Sequence, residues 1–433
     1  MNSEVNSSIN EKLEIQQVAV IGAGIVGINC ALALQQQGYQ VTLFDKDGIG
    51  LGCSKANAGH FATEQVFPLA DPSLLMQLPK MLLDPLGPIA LSPWHFVKAM
   101  PWFLRFFLNM RSDKRTFNSN AIKMLNKNAI DYYKPLLAAA NASSLLKVNG
   151  SLLVFENTDY DEVVTMYNRY LEAGIAVELL NREEALALEP NLSGNIKYAL
   201  FFTEVGHTGD PHAICEALAD YAKSLGMVFK KMSVDSIEQN SAGVVLNRDS
   251  CRLKFDHCVV STGAWSKNLL AELGYFLPIE AERGYSLSLP VHECEKTLLS
   301  RPVASAERKF IITPMNKVLR LSGTVEYAGL MAKANNKRAD MLQKNAEFIL
   351  NSLPEEVEIN DKVAERWMGC RPSLPDSLPV ICQAPQHSKI FFALGHQHLG
   401  LTQGAITGKL ISQLVSNIET DIDVSPFCIS RFN

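Results

Sequence analysis

Residues 18–27 read Val18-Ala19-Val20-Ile21-Gly22-Ala23-Gly24-Ile25-Val26-Gly27, and this stretch decides the fold. The apolar, β-branched run before Gly22 predicts a parallel strand buried on both faces. Gly22 permits the tight turn out of the strand, Gly24 lets backbone approach a pyrophosphate, and Gly27 lets the following helix pack closely. That helix opens with its N-terminus toward the anion. Tyr39 to Asp45 reads as a second strand ending in an acid placed to accept from a ribose hydroxyl. An acid there disfavours a 2′-phosphate, so NADP is set aside while NAD and FAD both stay open.

Around this core the chain has 433 residues with 40 Lys+Arg against 45 Asp+Glu, a net charge of -5. At about 150 residues per domain the length asks for two to three domains. Mild acidity argues against nucleic acid, which selects a strongly basic patch. A hydrophobic content of 47% excludes gross disorder. Residues 16–44 and 390–408 are uncharged but broken by glycines, so they read as strand, turn and helix rather than membrane spans. The polar segment 1–16 lacks the basic and apolar regions of a signal peptide. The nine cysteines include no C-x-x-C spacing. That usage points to a reducing, cytoplasmic setting and gives no metal framework.

A loop rich in small residues, Gly50-Leu51-Gly52-Cys53-Ser54-Lys55-Ala56-Asn57-Ala58-Gly59-His60, follows the second strand and suits close backbone approach to a flat ligand. Another strand and small-residue turn reads Val259-Val260-Ser261-Thr262-Gly263-Ala264-Trp265. A third runs Ile390-Phe391-Phe392-Ala393-Leu394-Gly395-His396 into His398-Leu399-Gly400-Leu401-Thr402 and a helix from about 403 to 416. Asp210 before Pro211 reads as a helix N-cap.

With Glu282-Arg283-Gly284-Tyr285 and Gly369-Cys370-Arg371-Pro372 ahead of Pro375-Asp376, these motifs resemble the FAD-dependent amine and amino-acid oxidoreductase superfamily of D-amino-acid oxidase, glycine oxidase and sarcosine oxidase. Within it the sequence is most similar to bacterial D-amino-acid dehydrogenases of the small-subunit type. The resemblance spans about residues 17–420. It implies an α/β protein: a discontinuous Rossmann-type FAD domain with an antiparallel-sheet substrate domain capped by helices. The expected pieces are 17–78, 201–275 and 366–428 for FAD, and 79–200 and 276–365 for substrate.

The same resemblance implies non-covalent FAD, held by Gly22, Gly24, Ile25, Val26, Gly27, Asp45 and Lys46. Cys53, Ser54, Asn57, Ala58, Gly59 and His60 would line it, with Val234 from a strand bracketing the adenine. Thr262, Gly263, Trp265 and Gly395 complete the set, and the amides of Gly400, Leu401 and Thr402 would face the flavin pyrimidine. Arg371 would anchor a substrate carboxylate, since a guanidinium offers a planar two-donor fork. Tyr285, on a strand facing the flavin, would be a second contact, and His398 a third. The implied reaction is hydride transfer from the Cα of a D-amino acid to flavin, giving an imino acid that hydrolyses to a 2-oxo acid and ammonia. A respiratory quinone or another acceptor would take the electrons. Dehydrogenases of D-hydroxyproline or other secondary amines are the alternative within the fold, and a non-catalytic flavin-binding subunit is the alternative outside it.

The remaining segments read as the substrate domain. Residues 79–140 are tandem helices punctuated by Pro79, Pro85, Pro88, Pro93 and Pro101. Residues 148–156 form a strand kinked at Gly150, 160–173 and 182–189 are helices, 310–321 is a hairpin turning at 315–317, and 341–350 is a helix. Residues 74–110 mix Trp94, Phe96, Trp102, Phe103, Phe106 and Phe107 with Lys98, Arg105 and Arg111. This reads either as a packed helical cap or as a helix lying on a membrane surface.

Overall fold

The computed structural model describes residues 15–84, 87–291, 298–354 and 364–432, so the polar N-terminus, Pro85 and Cys294 lie outside it. Its centre is a six-stranded sheet in the order Val228–Lys231, Gln40–Asp45, Gln17–Ile21, His257–Val260, His387–Leu394, Val380–Ala384. The first five strands are parallel and the last pairs antiparallel at the edge. The sequence explains the layering. Val18 and Val20 point to a cluster with Ile28 and Leu32 of helix Ile25–Gln36, Leu218 of helix Pro211–Ser224 and Leu410 of helix Gly400–Val415. Ala19 and Ile21 point the other way, to Phe44, Phe255, Val260 and Leu270. Both faces of the strand are apolar because both are covered.

The second sheet runs in the order Glu365–Ser373, Glu280–Pro290, Val318–Tyr327, Phe310–Pro314, Val303–Ser305, Ser151–Phe155, Tyr198–Phe202, Val177–Asn181, with Ile89–Leu91 added beside Val318–Tyr327. Most pairings are antiparallel. Helix Lys337–Ala346 packs on one face against Leu287, Leu289 and Leu321. Each sheet gathers strands from separated stretches of the chain. Strand Glu365–Ser373, and with it Arg371, belongs to this larger sheet although the expected division fell at 366.

The hairpin turns at 315–317 as expected. The kink at Gly150 is a full break between Lys147–Val148 and Ser151–Phe155, with Gly150 at φ +82 and packed so that a Cβ would meet the Phe201 ring at 2.4 Å. The helix expected at 341–350 instead spans Lys337–Ala346. Pro79 and Pro101 do not punctuate helices but lie inside Ser73–Leu83 and Pro93–Leu108. For Pro101 the carbonyl left without its helical donor is that of Val97, a residue 71% exposed on the solvent side of the helix. Trp102, Phe103 and Phe106 of this helix pack on Tyr327 of the large sheet, and among the described residues no helix is long and apolar enough to cross a membrane.

Candidate active site

The glycine loop has the geometry its sequence asks for. Gly22 sits at φ +104, and a Cβ on it would meet the Ser261 carbonyl oxygen at 2.5 Å. A Cβ on Gly27 would come within 1.8 Å of the Gly22 oxygen, so this glycine sets the approach of helix to strand. Gly24 is different: only Ser54 Oγ, at 3.5 Å, lies near its missing side chain. That opening above a helix N-terminus is the space a pyrophosphate needs. Ser54 Oγ accepts from Ile25 N at 3.0 Å, locking the Cys53–Gly59 loop to the start of the helix. Asp45 ends its strand with Oδ2 accepting from Ala23 N at 2.8 Å and Oδ1 accepting from Asp47 N and Gly48 N. The acid therefore also shapes both turns around the nucleotide cradle.

The other expected cofactor residues sit in turns at the ends of their strands and in the loops between them. Lys46 Nζ lies 4.7 Å above the Trp265 ring, joining the second strand to the turn after His257–Val260. Thr262 Oγ1 is hydrogen-bonded to Ser266 Oγ, and Gly263 at φ +55 has open space around it. Asn57 Oδ1 accepts from Gly59 N, and Gly59 at φ +71 packs against the Thr208 carbonyl. Gly395, at φ +81, is packed against Leu374. Thr402 Oγ1 accepts from Ala62 N at 2.9 Å, tying the loop after His60 to the start of helix Gly400–Val415, where a Cβ on Gly400 would make only ordinary contacts, with His396 at 3.8 Å and Val26 at 3.9 Å. Val234 follows the strand beside Asp45 rather than lying within it. It lies between strands Val228–Lys231 and Ser236–Gln239, where Met232 N has turned onto the Asp45 carbonyl.

The larger sheet presents one polar face to this cradle. Glu282 is paired in register with Arg371, and Ser288 with Arg320. Arg320 donates from Nε to Ser288 Oγ and from Nη1 to the Asn57 carbonyl at 3.1 Å, so this face abuts the Cys53–Gly59 loop. Cys53 Sγ donates to the Cys370 carbonyl at 2.6 Å, one residue from Arg371. Arg371 lies flat over Gly284, where any Cβ would strike the guanidinium at 2.3 Å. Its Nη1 donates to Glu282 Oε1 at 3.0 Å and to the Thr324 carbonyl at 3.3 Å. Its Nε and Nη2 have no hydrogen-bond partner among the described residues, and the side chain is 24% exposed. One edge of the fork is held while the other stays open.

Tyr285 requires a correction. Strand alternation puts it with Arg283, Leu287 and Leu289 on the face opposite Glu282 and Arg371, packed in the core under helix Lys337–Ala346. Its hydroxyl donates to Glu326 Oε2 at 2.6 Å and accepts from Asn335 N at 3.0 Å, so the phenol does not share a face with Arg371.

His398, in contrast, joins the polar face. Its Nε2 donates to Gln65 Oε1 at 2.9 Å. Next to it, Gln397 donates from N to the Pro372 carbonyl and from Nε2 to the Leu374 carbonyl, fastening this loop to the Arg371 strand. Burial pushes the His398 pKa down to about 4, with Glu282 opposing and Arg371 reinforcing the shift. The ring is neutral at pH 7, and its Nδ1 is an acceptor. His60 Nε2 meets Glu64 Oε1 at 2.9 Å, and its strand pairs with that of His207. His396 is 4% exposed, hydrogen-bonded to Thr407 Oγ1, and pushed by burial to about 3. Among the described residues no group of His, Cys, Asp or Glu has the arrangement of a metal site.

Sequence analysis placed Glu282 and Gly284 in a motif without giving either a role, and gave none to Arg320 or Gln65. Gly284 carried a signal, since a glycine inside a strand marks close approach of another group. A family model described as FAD dependent oxidoreductase matches residues 17–414. The chain belongs to that family. As a member it is an FAD-dependent oxidoreductase, and the cradle around Gly24, the Cys53–Gly59 loop and Gly400 fits FAD. It is 32% identical over 426 residues to a D-amino-acid oxidase of Bradyrhizobium diazoefficiens, covering 97% of this chain and 99% of the relative. It is 28% identical to a D-amino acid dehydrogenase of Vibrio atlanticus, covering 96% of this chain and 100% of the relative. Its fold is similar to that of a glycine oxidase from Geobacillus kaustophilus, with a TM-score of 0.71, 22% identity, and coverage of 96% of this chain and 99% of the other.

Proposed function

We propose that this chain oxidatively deaminates D-amino acids to 2-oxo acids and ammonia, passing the electrons to a respiratory acceptor. The observation that carries the reading is the open Nε–Nη2 edge of Arg371 beside the flavin cradle. A carboxylate is the planar, two-acceptor group that edge selects. FAD, when bound, supplies the hydride acceptor. The chain's own residues do the positioning. Arg371, immobilised by Glu282 and Gly284, fixes the carboxylate and so the direction of the Cα–H bond. Neutral His398 offers Nδ1 to a substrate N–H without adding a second positive charge. With the amine bound neutral, departure of the Cα hydride leaves an iminium whose N–H proton passes to water, and hydrolysis of the imino acid then gives the 2-oxo acid and ammonia. Names of the curated relatives, oxidase and dehydrogenase of D-amino acids, support the substrate class.

The apolar residues left outward on the helical cap support delivery of electrons at a membrane. Trp94 is 88% exposed and Leu108 64%, with Val97 and Leu104 between them on the same helix. The test of substrate is anaerobic: the yellow protein bleaches on adding D-alanine. Bleaching by cis-4-hydroxy-D-proline alone transfers the reading to secondary amines, and bleaching by no amino acid or amine overturns it.

A further inference from the structure

Two cysteines outside the flavin site meet at the C-terminal end of the fold. Cys382 lies in the edge strand Val380–Ala384, and Cys428 follows the turn Ser425–Phe427 in the tail that packs across it. Ile429 N donates to Cys382 Sγ at 3.4 Å, which seats the residue after Cys428 on the Cys382 sulfur. Both side chains belong to the same packed cluster, with Ile390 and Ile429 beside them. Their surroundings differ. Cys382 is 5% exposed, whereas Cys428 is half-buried. Ser430 Oγ donates to Cys428 Sγ at 3.0 Å, and Arg431 Nη1 donates to the Cys428 carbonyl at 3.1 Å. The Cys382 thiol, with Ser430 and Arg431, pulls the Cys428 pKa down to about 5 against the effect of burial. The neighbouring Cys428 sulfur and burial push Cys382 well above the usual thiol range, so it keeps its proton.

A half-exposed thiolate beside a buried, protonated thiol is the arrangement of a peroxide-reactive pair. We propose that Cys428 and Cys382 are a peroxide-modification site, Cys428 reacting and Cys382 resolving it as a disulfide that staples the tail to the sheet edge. The thiolate sulfur of Cys428 attacks hydrogen peroxide, an S–O bond forms, the O–O bond breaks and hydroxide leaves. The Cys382 sulfur then displaces the hydroxyl of the sulfenic acid, which departs with the Cys382 proton as water. Two sulfurs lose one electron each, and the peroxide oxygens gain two. The tail is coupled to the site through Arg431, whose Nε donates to Asp376 Oδ2 at 2.7 Å and Nη2 to the Leu378 carbonyl at 2.7 Å. That turn directly follows the strand carrying Arg371.

The experiment treats holoenzyme with equimolar hydrogen peroxide, blocks free thiols by alkylation and digests it for mass spectrometry. The expected result is a peptide linking 382 to 428. In Cys382→Ala the Cys428 sulfenic acid persists and is trapped by dimedone. Alkylation of Cys428 in the untreated wild type stays flat from pH 8 to pH 6, while an ordinary thiol slows about tenfold per unit. Unmodified Cys428, oxidation without the cross-link, or an ordinary pH dependence in the wild type each overturns the proposal.

Discussion

Arg371 shares its charge with Glu282, and the division has a kinetic consequence. Because Nη1 is already committed, the substrate carboxylate depends on Nε and Nη2 alone. Arg371→Ala should therefore cost about 1.5–3 kcal/mol, or roughly ten- to a hundredfold in kcat/KM, expressed mainly in KM. Arg371→Lys should rescue little, since a lysine is a point charge without the fork. Tyr285→Phe should behave in the opposite way. KM should stay within about twofold, while urea unfolding should lose about 1–3 kcal/mol because Glu326 and Asn335 lose a buried partner. Steady-state kinetics and denaturant titration of the variants separate the two roles. A KM increase in Tyr285→Phe would restore the tyrosine to the substrate face. The pair shows where legibility ends at this scale. Arg371 is readable from its chemistry, but its partnership with Glu282 depends on the register of strands 89 residues apart. For Tyr285, alternation shows only that it faces opposite Gly284, not which face is the core.

At the scale of elements, the strand–turn–helix at 17–36 was fully legible because its requirements are local. Gly22 needs a positive φ, and Gly27 must leave room for the Gly22 oxygen. Both constraints act within a few residues. The elements that resisted reading are set by distant packing. Helix Lys337–Ala346 starts early because Ala339 and Leu342 bury against the large sheet, and Pro101 stays inside a helix because its neighbours Trp102 and Phe103 pack on Tyr327. The glycine loop gives a contrast that tests its assignment. Gly27→Ala drives a Cβ into backbone at 1.8 Å, so the protein should fail to accumulate folded. Gly24→Ala meets only the Ser54 hydroxyl at 3.5 Å, so circular dichroism should show a folded chain while flavin absorbance is lost after dialysis. Retention of FAD by Gly24→Ala would show that the pyrophosphate lies elsewhere.

Over the whole molecule, two properties of the surface and interior become measurable. His207 and His396 are 1% and 4% exposed, and burial pushes their pKa values down to about 4 and about 3. The native state keeps both neutral while the unfolded chain takes up protons below about 6.5, so stability drops as pH falls from about 6.5 to about 4 for His207 and to about 3 for His396. Near pH 5 the loss is about 2 kcal/mol for each histidine, visible as a lower denaturant midpoint than at pH 7. The cap poses the larger question. Helix Pro93–Leu108 buries Ala99, Trp102, Phe103 and Phe106 inward, yet leaves Trp94, Val97, Leu104 and Leu108 in solvent, with Lys98 and Arg111 exposed beside them. A helix apolar on both faces needs two apolar partners, and the fold supplies one. If an anionic membrane surface is the second, the wild type should co-sediment with phosphatidylglycerol vesicles. Leu104→Glu with Leu108→Glu should weaken that binding at least about tenfold, since each leucine contributes about 1–2 kcal/mol when it enters the interface. Those side chains make few internal contacts, so turnover with a soluble dye acceptor should not change. Absence of wild-type protein from the vesicle pellet would dismiss the membrane and leave electron delivery to a soluble acceptor.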